Sequence, residues 1–145
     1  MVVKQCVVIF PAYRSLSKIE FDFLENGLRK TEGFTQVIIA PQSLIIDKSF
    51  GDLQNLKVIR FANYYFESIS GYNKLLLSLE FYNRFKEYEY LLIHQSDAYL
   101  FKNELDYWCQ KGFDYIGAPW YRSSKLNKGL IYRFIYKKLY YTTGV

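Results

Sequence analysis

The feature that most limits how this chain can fold is the alternation of compact Val, Ile and Leu runs with segments of helical period. A short apolar run bounded by breakers reads as a buried strand, whereas apolar residues recurring every three or four positions read as a helix with one inward face. Lys4 to Phe10 is the first such run, stopped by Pro11. Ser17-Lys18-Ile19-Glu20 then has the pattern of a capping box. In that motif the Ser17 hydroxyl accepts from the N–H of residue 20 and the Glu20 carboxylate reaches back to the Ser17 N–H. Leu16 and Phe21 flank it at the staple positions. The helix so opened is expected to reach Lys30, with Ile19, Phe23, Leu24 and Leu28 inward and Gly33 closing it.

Thr35 to Ala40, stopped by Pro41, is a second strand, and Leu56 to Phe61 a third. Residues 41–55 read as an irregular connection with room for a short strand at Leu44 to Ile46. A helix opening at Gly71 places Tyr72, Leu75, Leu76, Leu79 and Tyr82 on one face and Glu80, Asn83 and Arg84 on the other. The run from Tyr90 to Tyr99 reads as a buried strand that delivers Asp97 at its carboxyl end. Asn103 is expected to cap a last helix, with Asp106 at its third position, ending near Lys111. The order β-α-β-β-α-β-α predicts an α/β domain with a mostly parallel sheet covered on both faces. Right-handed crossovers then bring the loops after Phe10, after Phe61 and around Asp97 to one rim.

Composition narrows the partners. With 50% hydrophobic and 20% aromatic residues the chain is no disordered segment, and 145 residues suffice for one domain with a core. Cys6 and Cys109 give neither a disulfide framework nor a metal-ligand spacing, which fits a reducing cytoplasm. The apolar stretch from Cys6 to Phe10 is too short for a signal sequence or a membrane span. Of the 19 Lys and Arg residues, Arg122, Lys125, Lys128, Arg133, Lys137 and Lys138 lie in residues 121–145, which hold no acid. The net charge of +5 therefore belongs to a tail on a near-neutral domain. That argues against a nucleic-acid partner, whose footprint would spread over a folded face. The tail, with its Lys and Arg beside aromatics, reads either as a helix lying on an anionic membrane surface or as one packing its aromatic face on protein. Packing is the favoured reading.

Asp97 is the leading candidate for chemistry. In open α/β sheets ligands bind beyond the carboxyl ends of the strands. A carboxylate there can hold Mg²⁺ or Mn²⁺, hard cations that prefer oxygen. A turn-capping aspartate is the plainer alternative. Gln95 shares the Asp97 side of the expected strand and is neutral, while His94, the single histidine, alternates away and reads as a core residue. Pro11-Ala12-Tyr13-Arg14 follows the first strand, where such folds place a nucleotide; Arg14 suits a diphosphate and Tyr13 a base. No Gly-rich phosphate fingerprint accompanies it. Gly71-Tyr72-Asn73-Lys74, at an expected helix start, is a place for polar contacts to an anion. In Asp114-Tyr115-Ile116-Gly117-Ala118-Pro119-Trp120 the Gly and Pro fix a turn, and Trp120 offers a plate for a sugar ring or for packing. No nucleophile–base pair emerges.

The stretch from Gly71 to Trp120, with Gln-Ser-Asp-Ala after an apolar strand and Asp-Tyr-Ile-Gly-Ala-Pro-Trp some way beyond, resembles the DUF5672 family of glycosyltransferase-like bacterial proteins. The resemblance implies a GT-A-like (Rossmann-like) three-layer α/β/α domain that binds a nucleotide-activated sugar and transfers it to a carbohydrate acceptor in surface polysaccharide biosynthesis. The expected location is the cytoplasm, with peripheral contact at the inner face of the membrane only if the tail lies on lipid rather than on protein. Gln95-Ser96-Asp97 stands where such enzymes carry Asp-x-Asp, so Asp97 matches the ligand of a divalent cation (Mn or Mg) and Gln95 replaces the first acid. Pro11, Ala12, Tyr13, Arg14, Asn73, Gln95, Ser96, Asp97 and Trp120 are the expected nucleotide-sugar contacts. Relatives look as though they continue into a Gly-Asn-Gly-Gly-type segment. Residues 1–120 are therefore expected to be the donor-binding domain, C-terminally incomplete, and residues 121–145 the start of a missing part. Such a chain would bind donor weakly and catalyse nothing. The competing expectation is a catalytically silent fragment that serves as an interaction or membrane-surface module.

Overall fold

The computed structural model describes residues 4–117. The chain divides into two units, Met1–Phe113 and Asp114–Val145, and the second is described only over residues 114–117. In the first unit the strands are β1 (Lys4–Pro11), β2 (Thr35–Pro41), β3 (Lys57–Phe61) and β4 (Tyr88–Ile93). The α-helices are α1 (Lys18–Lys30), α2 (Ile69–Leu76), α3 (Leu79–Asn83) and α4 (Leu105–Gln110), with 3₁₀ segments at Lys48–Asn55 and Asn63–Tyr65.

The sheet has the order β3-β2-β1-β4, and every neighbouring pair is parallel. Ile9 lies opposite Val37 on one side and Ile93 on the other. From β1 the chain steps outward to β2 and β3, then returns across β1 to lay down β4. The winding direction thus reverses between β1 and β4, a topological switch point of the kind that opens a crevice beyond the strand ends.

Strand periodicity divides the core in two. Val7, Ile9, Val37 and Ile39 face one way and pack with Phe61, Leu75, Phe81 and Phe85, under α2 and α3. Val8, Phe10, Ile38 and Ala40 face the other way and pack with Leu24, Phe50 and Leu53, under α1 and the longer 3₁₀ segment. Each fully buried Val, Leu, Ile or Phe side chain among them stabilises the fold by about 1.5–3 kcal/mol. The result is a three-layer α/β arrangement consistent with a Rossmann-like fold.

Several local expectations are corrected. The capping box at Ser17 and Glu20 forms, but Ile19 is 67% exposed. It sits five residues from Leu24, which turns it roughly 140° away from the buried stripe. The helix expected from Gly71 begins earlier, at Ile69, where the Ser68 hydroxyl accepts from the Gly71 N–H. It also breaks in the middle. The Ser78 hydroxyl donates to the Leu75 carbonyl and accepts from the Phe81 N–H, ending α2 and capping α3. The restart rotates the inward face, so Phe81 and Phe85 are buried whereas Leu79 is 80% and Tyr82 51% exposed. Gly71 serves close approach: a Cβ there would stand 2.6 Å from the Tyr64 carbonyl oxygen. No strand forms at Leu44 to Ile46. Glu104, not Asn103, is the N-cap of α4, and it makes no side-chain cap bond. The strand read as extending to Asp97 ends at Ile93.

Candidate functional site

β1 and β4 end side by side on one rim. The His94 N–H donates to the Ile9 carbonyl at 2.9 Å, carrying the pairing one residue past β4. The Ala12 N–H likewise donates to the Ile39 carbonyl at 2.9 Å. The loops that follow therefore leave the sheet at the switch point itself. One carboxylate joins them. Arg14 grips Glu20 with two nitrogens, Nη2 to Oε1 at 2.6 Å and Nη1 to Oε2 at 3.0 Å. The Ser17 N–H donates to Oε2 at 2.8 Å, and the Ser96 hydroxyl donates to Oε1 at 3.2 Å. Glu20 thus ties the loop after β1, the start of α1 and the loop after β4. The Arg14 guanidinium, with help from the Ser17 N–H and hydroxyl, holds its carboxyl down at about 2.

The expected site residues that lie within the described range fall into four groups. Tyr13 and Arg14 are exposed, with the guanidinium 5.5 Å from the centre of the Tyr13 ring. Gln95 and Asp97 are exposed and Ser96 is half-buried, on the neighbouring loop. The Ala98 N–H donates to the Gln95 carbonyl at 3.1 Å, so these residues form a turn. Strand alternation therefore does not relate Gln95 to Asp97. Pro11 and Ala12 are buried, and the Ala12 N–H is already engaged by Ile39, so they shape the floor. Asn73 is exposed inside α2, beyond its first turn, and its side chain bonds to neither loop. Trp120 and residues 121–145 lie outside the described residues.

Two residues that sequence reasoning did not assign belong to this neighbourhood. Glu20 was legible only as a capping residue; an arginine six positions upstream, in the loop it closes, was the available signal. Tyr72 of α2 brings a buried hydroxyl that lacks a well-formed hydrogen bond, beside the Gln95 side chain. Burial pushes its pKa up, and Gln95 partly offsets this.

His94 is sealed beneath the rim, 2% exposed, with neither ring nitrogen hydrogen-bonded. Its ring sits 5.5 Å from that of Phe10 and fills the space left by Gly27, where a Cβ would stand 2.7 Å from Nε2. Burial lowers its pKa, so the imidazole is neutral. It is a core histidine, closed off from solvent.

Among the described residues, no group of three or more His, Cys, Asp or Glu side chains could hold a metal ion. Asp97 offers one carboxylate beside a neutral Gln95. That donor set does not build a cage for a resident metal; it suits a cation that arrives with phosphate ligands of its own. A separate recess of about 440 Å³, lined by Asn26, Arg29, Lys30, Tyr99 and Asn103, lies along the C-terminal half of α1. None of the expected contacts lines it. Among the described residues no helix is long and apolar enough to cross a membrane.

Residues 55–141, well over half of the chain, match the family described as a protein of unknown function (DUF5672), and the chain belongs to that family. No curated protein and no solved structure matches it.

Proposed function

With membership of the DUF5672 family as the premise, we propose that this chain binds a nucleotide-activated sugar in the crevice between the loops after β1 and β4, as the donor-binding part of a GT-A-like glycosyltransferase. The observation that carries the reading is the juxtaposition of those two loops at the switch point of a parallel β3-β2-β1-β4 sheet. Tyr13 gives an exposed ring for the base. Arg14 gives a guanidinium whose planar donors suit a diphosphate. Asp97 supplies one oxygen ligand to Mg²⁺ or Mn²⁺ carried in by that diphosphate. A cation so bound would neutralise charge growing on the departing nucleoside diphosphate. Arg14 would add fixed positive charge to the same oxygens while a hydroxyl of a carbohydrate acceptor attacks. The biological setting proposed is surface polysaccharide synthesis, in the cytoplasm at the membrane's inner face.

Calorimetric titration of UDP, GDP and CMP in the presence of Mn²⁺ tests this. One nucleotide should bind in a metal-dependent manner, and Asp97→Ala should weaken it about tenfold or more. Failure of all three to bind contradicts the proposal. A second reading, a silent interaction module, is favoured by one observation: Ile69, Leu77 and Leu79 are exposed large apolar side chains on α2, α3 and the turn between them. It predicts concentration-dependent self-association and no nucleotide binding.

A further inference from the structure

We propose that Glu20 controls the anion affinity of the crevice by masking Arg14: its carboxylate occupies the guanidinium face that a ligand phosphate needs, and a phosphate must displace it to bind. This rests on the reading that the crevice takes a phosphorylated ligand.

A capping box asks one thing of its acidic residue, a bond to the N-cap N–H. Glu20 makes that bond and three more, two from Arg14 and one from Ser96. Four donors from three segments converge on a single carboxylate, and three of them belong to Arg14 and Ser96, residues expected to meet the ligand. The Arg14 side chain is 53% exposed and that of Glu20 only 17%, so the guanidinium is reachable from solvent and the carboxylate is tucked against it. A further Arg14 Nη1 bond goes to the Ser15 carbonyl at 2.9 Å. The bidentate face of Arg14 is thus closed by a negative charge. An incoming diphosphate meets both a filled donor set and electrostatic repulsion. Exchange remains feasible, because a partly exposed ion pair is held weakly and a diphosphate offers the same planar oxygen pair with more charge. Displacement would also release Ser96, since its hydroxyl bonds to the same carboxylate. Occupancy of the crevice is thereby coupled to the turn that carries Asp97.

Inorganic pyrophosphate is the probe, titrated into the full chain, Glu20→Gln, Arg14→Ala and the double variant. Gln retains a capping-box geometry while losing the charge. Glu20→Gln should bind pyrophosphate about three- to tenfold more tightly than wild type. Arg14→Ala should bind it more weakly than wild type, and the double variant should resemble Arg14→Ala, because the gain requires Arg14. Glu20→Gln loses some stability under either reading, so binding discriminates: a purely structural role for Glu20 would weaken pyrophosphate binding rather than tighten it. A measurement on the wild type needs no variant: carbodiimide labelling of Glu20, read by mass spectrometry, should rise when pyrophosphate is added. Unchanged or weaker pyrophosphate binding by a stably folded Glu20→Gln, or labelling that does not rise, overturns the masking role. If a nucleotide still binds in either case, the functional reading survives and only Glu20 is misassigned. If neither pyrophosphate nor any nucleotide binds wild type or Glu20→Gln, both fall together.

Discussion

The two faces of the sheet are covered by helices with similar apolar periods and different outcomes. On one face α1 runs unbroken for 13 residues from its capping box. On the other, a stretch with the same kind of period is cut into α2 and α3. The difference lies in where serine sits. Ser17 precedes its apolar run and starts a helix; Ser78 lies inside its run, where its hydroxyl competes with the backbone and starts a second helix. The cut rotates the inward face from Leu79 and Tyr82 to Phe81 and Phe85.

Substitutions at neighbouring positions sharpen this contrast. Phe81→Ala should cost about 3–5 kcal/mol, because the ring is fully buried under β1 and β2, while Leu79→Ala, two positions away, should change stability by less than about 0.5 kcal/mol. Equal losses in denaturant unfolding would break the description of α3. On the other face, Gly27→Ala should cost about 1–3 kcal/mol, since its Cβ would meet the His94 ring. Ser17→Ala and Ser78→Ala should each cost about 1 kcal/mol as lost caps, measured by thermal unfolding. If Ser78→Ala is stabilising, the apolar run prefers one continuous helix and the break is not set by that hydroxyl.

The smallest effects are in pH. His94 has a folded-state pKa below its unfolded value of about 6.5, so the folded state binds fewer protons. Its contribution is complete above the unfolded value and is lost as pH falls below it. Glu20, at about 2 when folded, contributes above its unfolded value of 4.5 and loses that contribution as pH drops toward 2. A stability–pH profile should therefore decline in two steps. His94→Leu should flatten the first and Glu20→Gln the second; an unchanged profile in both would contradict the placement of these groups.

Much of the architecture was legible in the sequence because apolar runs closed by Pro11 and Pro41, and the Ser17–Glu20 box, are local signals with local causes. The break at Ser78 was not, because a serine within an apolar period is compatible with either a continuous or an interrupted helix until packing selects Phe81. The end of β4 was misplaced for a related reason. His94 is buried like a strand residue, but it fills the space beside Gly27, a contact across 67 positions that no local pattern reveals. At the rim, each loop could be located from strand order alone. The tie between them could not, since Ser96 and Glu20 meet only after β4 has crossed back beside β1.

The most direct test of the crevice is amide chemical-shift mapping of the full chain as UDP, GDP or CMP is added with diamagnetic Mg²⁺. Shifts should concentrate at Tyr13, Arg14, Gln95, Ser96 and Asp97. Shifts centred instead on Asn26, Arg29, Lys30 and Asn103, or none with any of the three nucleotides, would contradict a ligand site between β1 and β4.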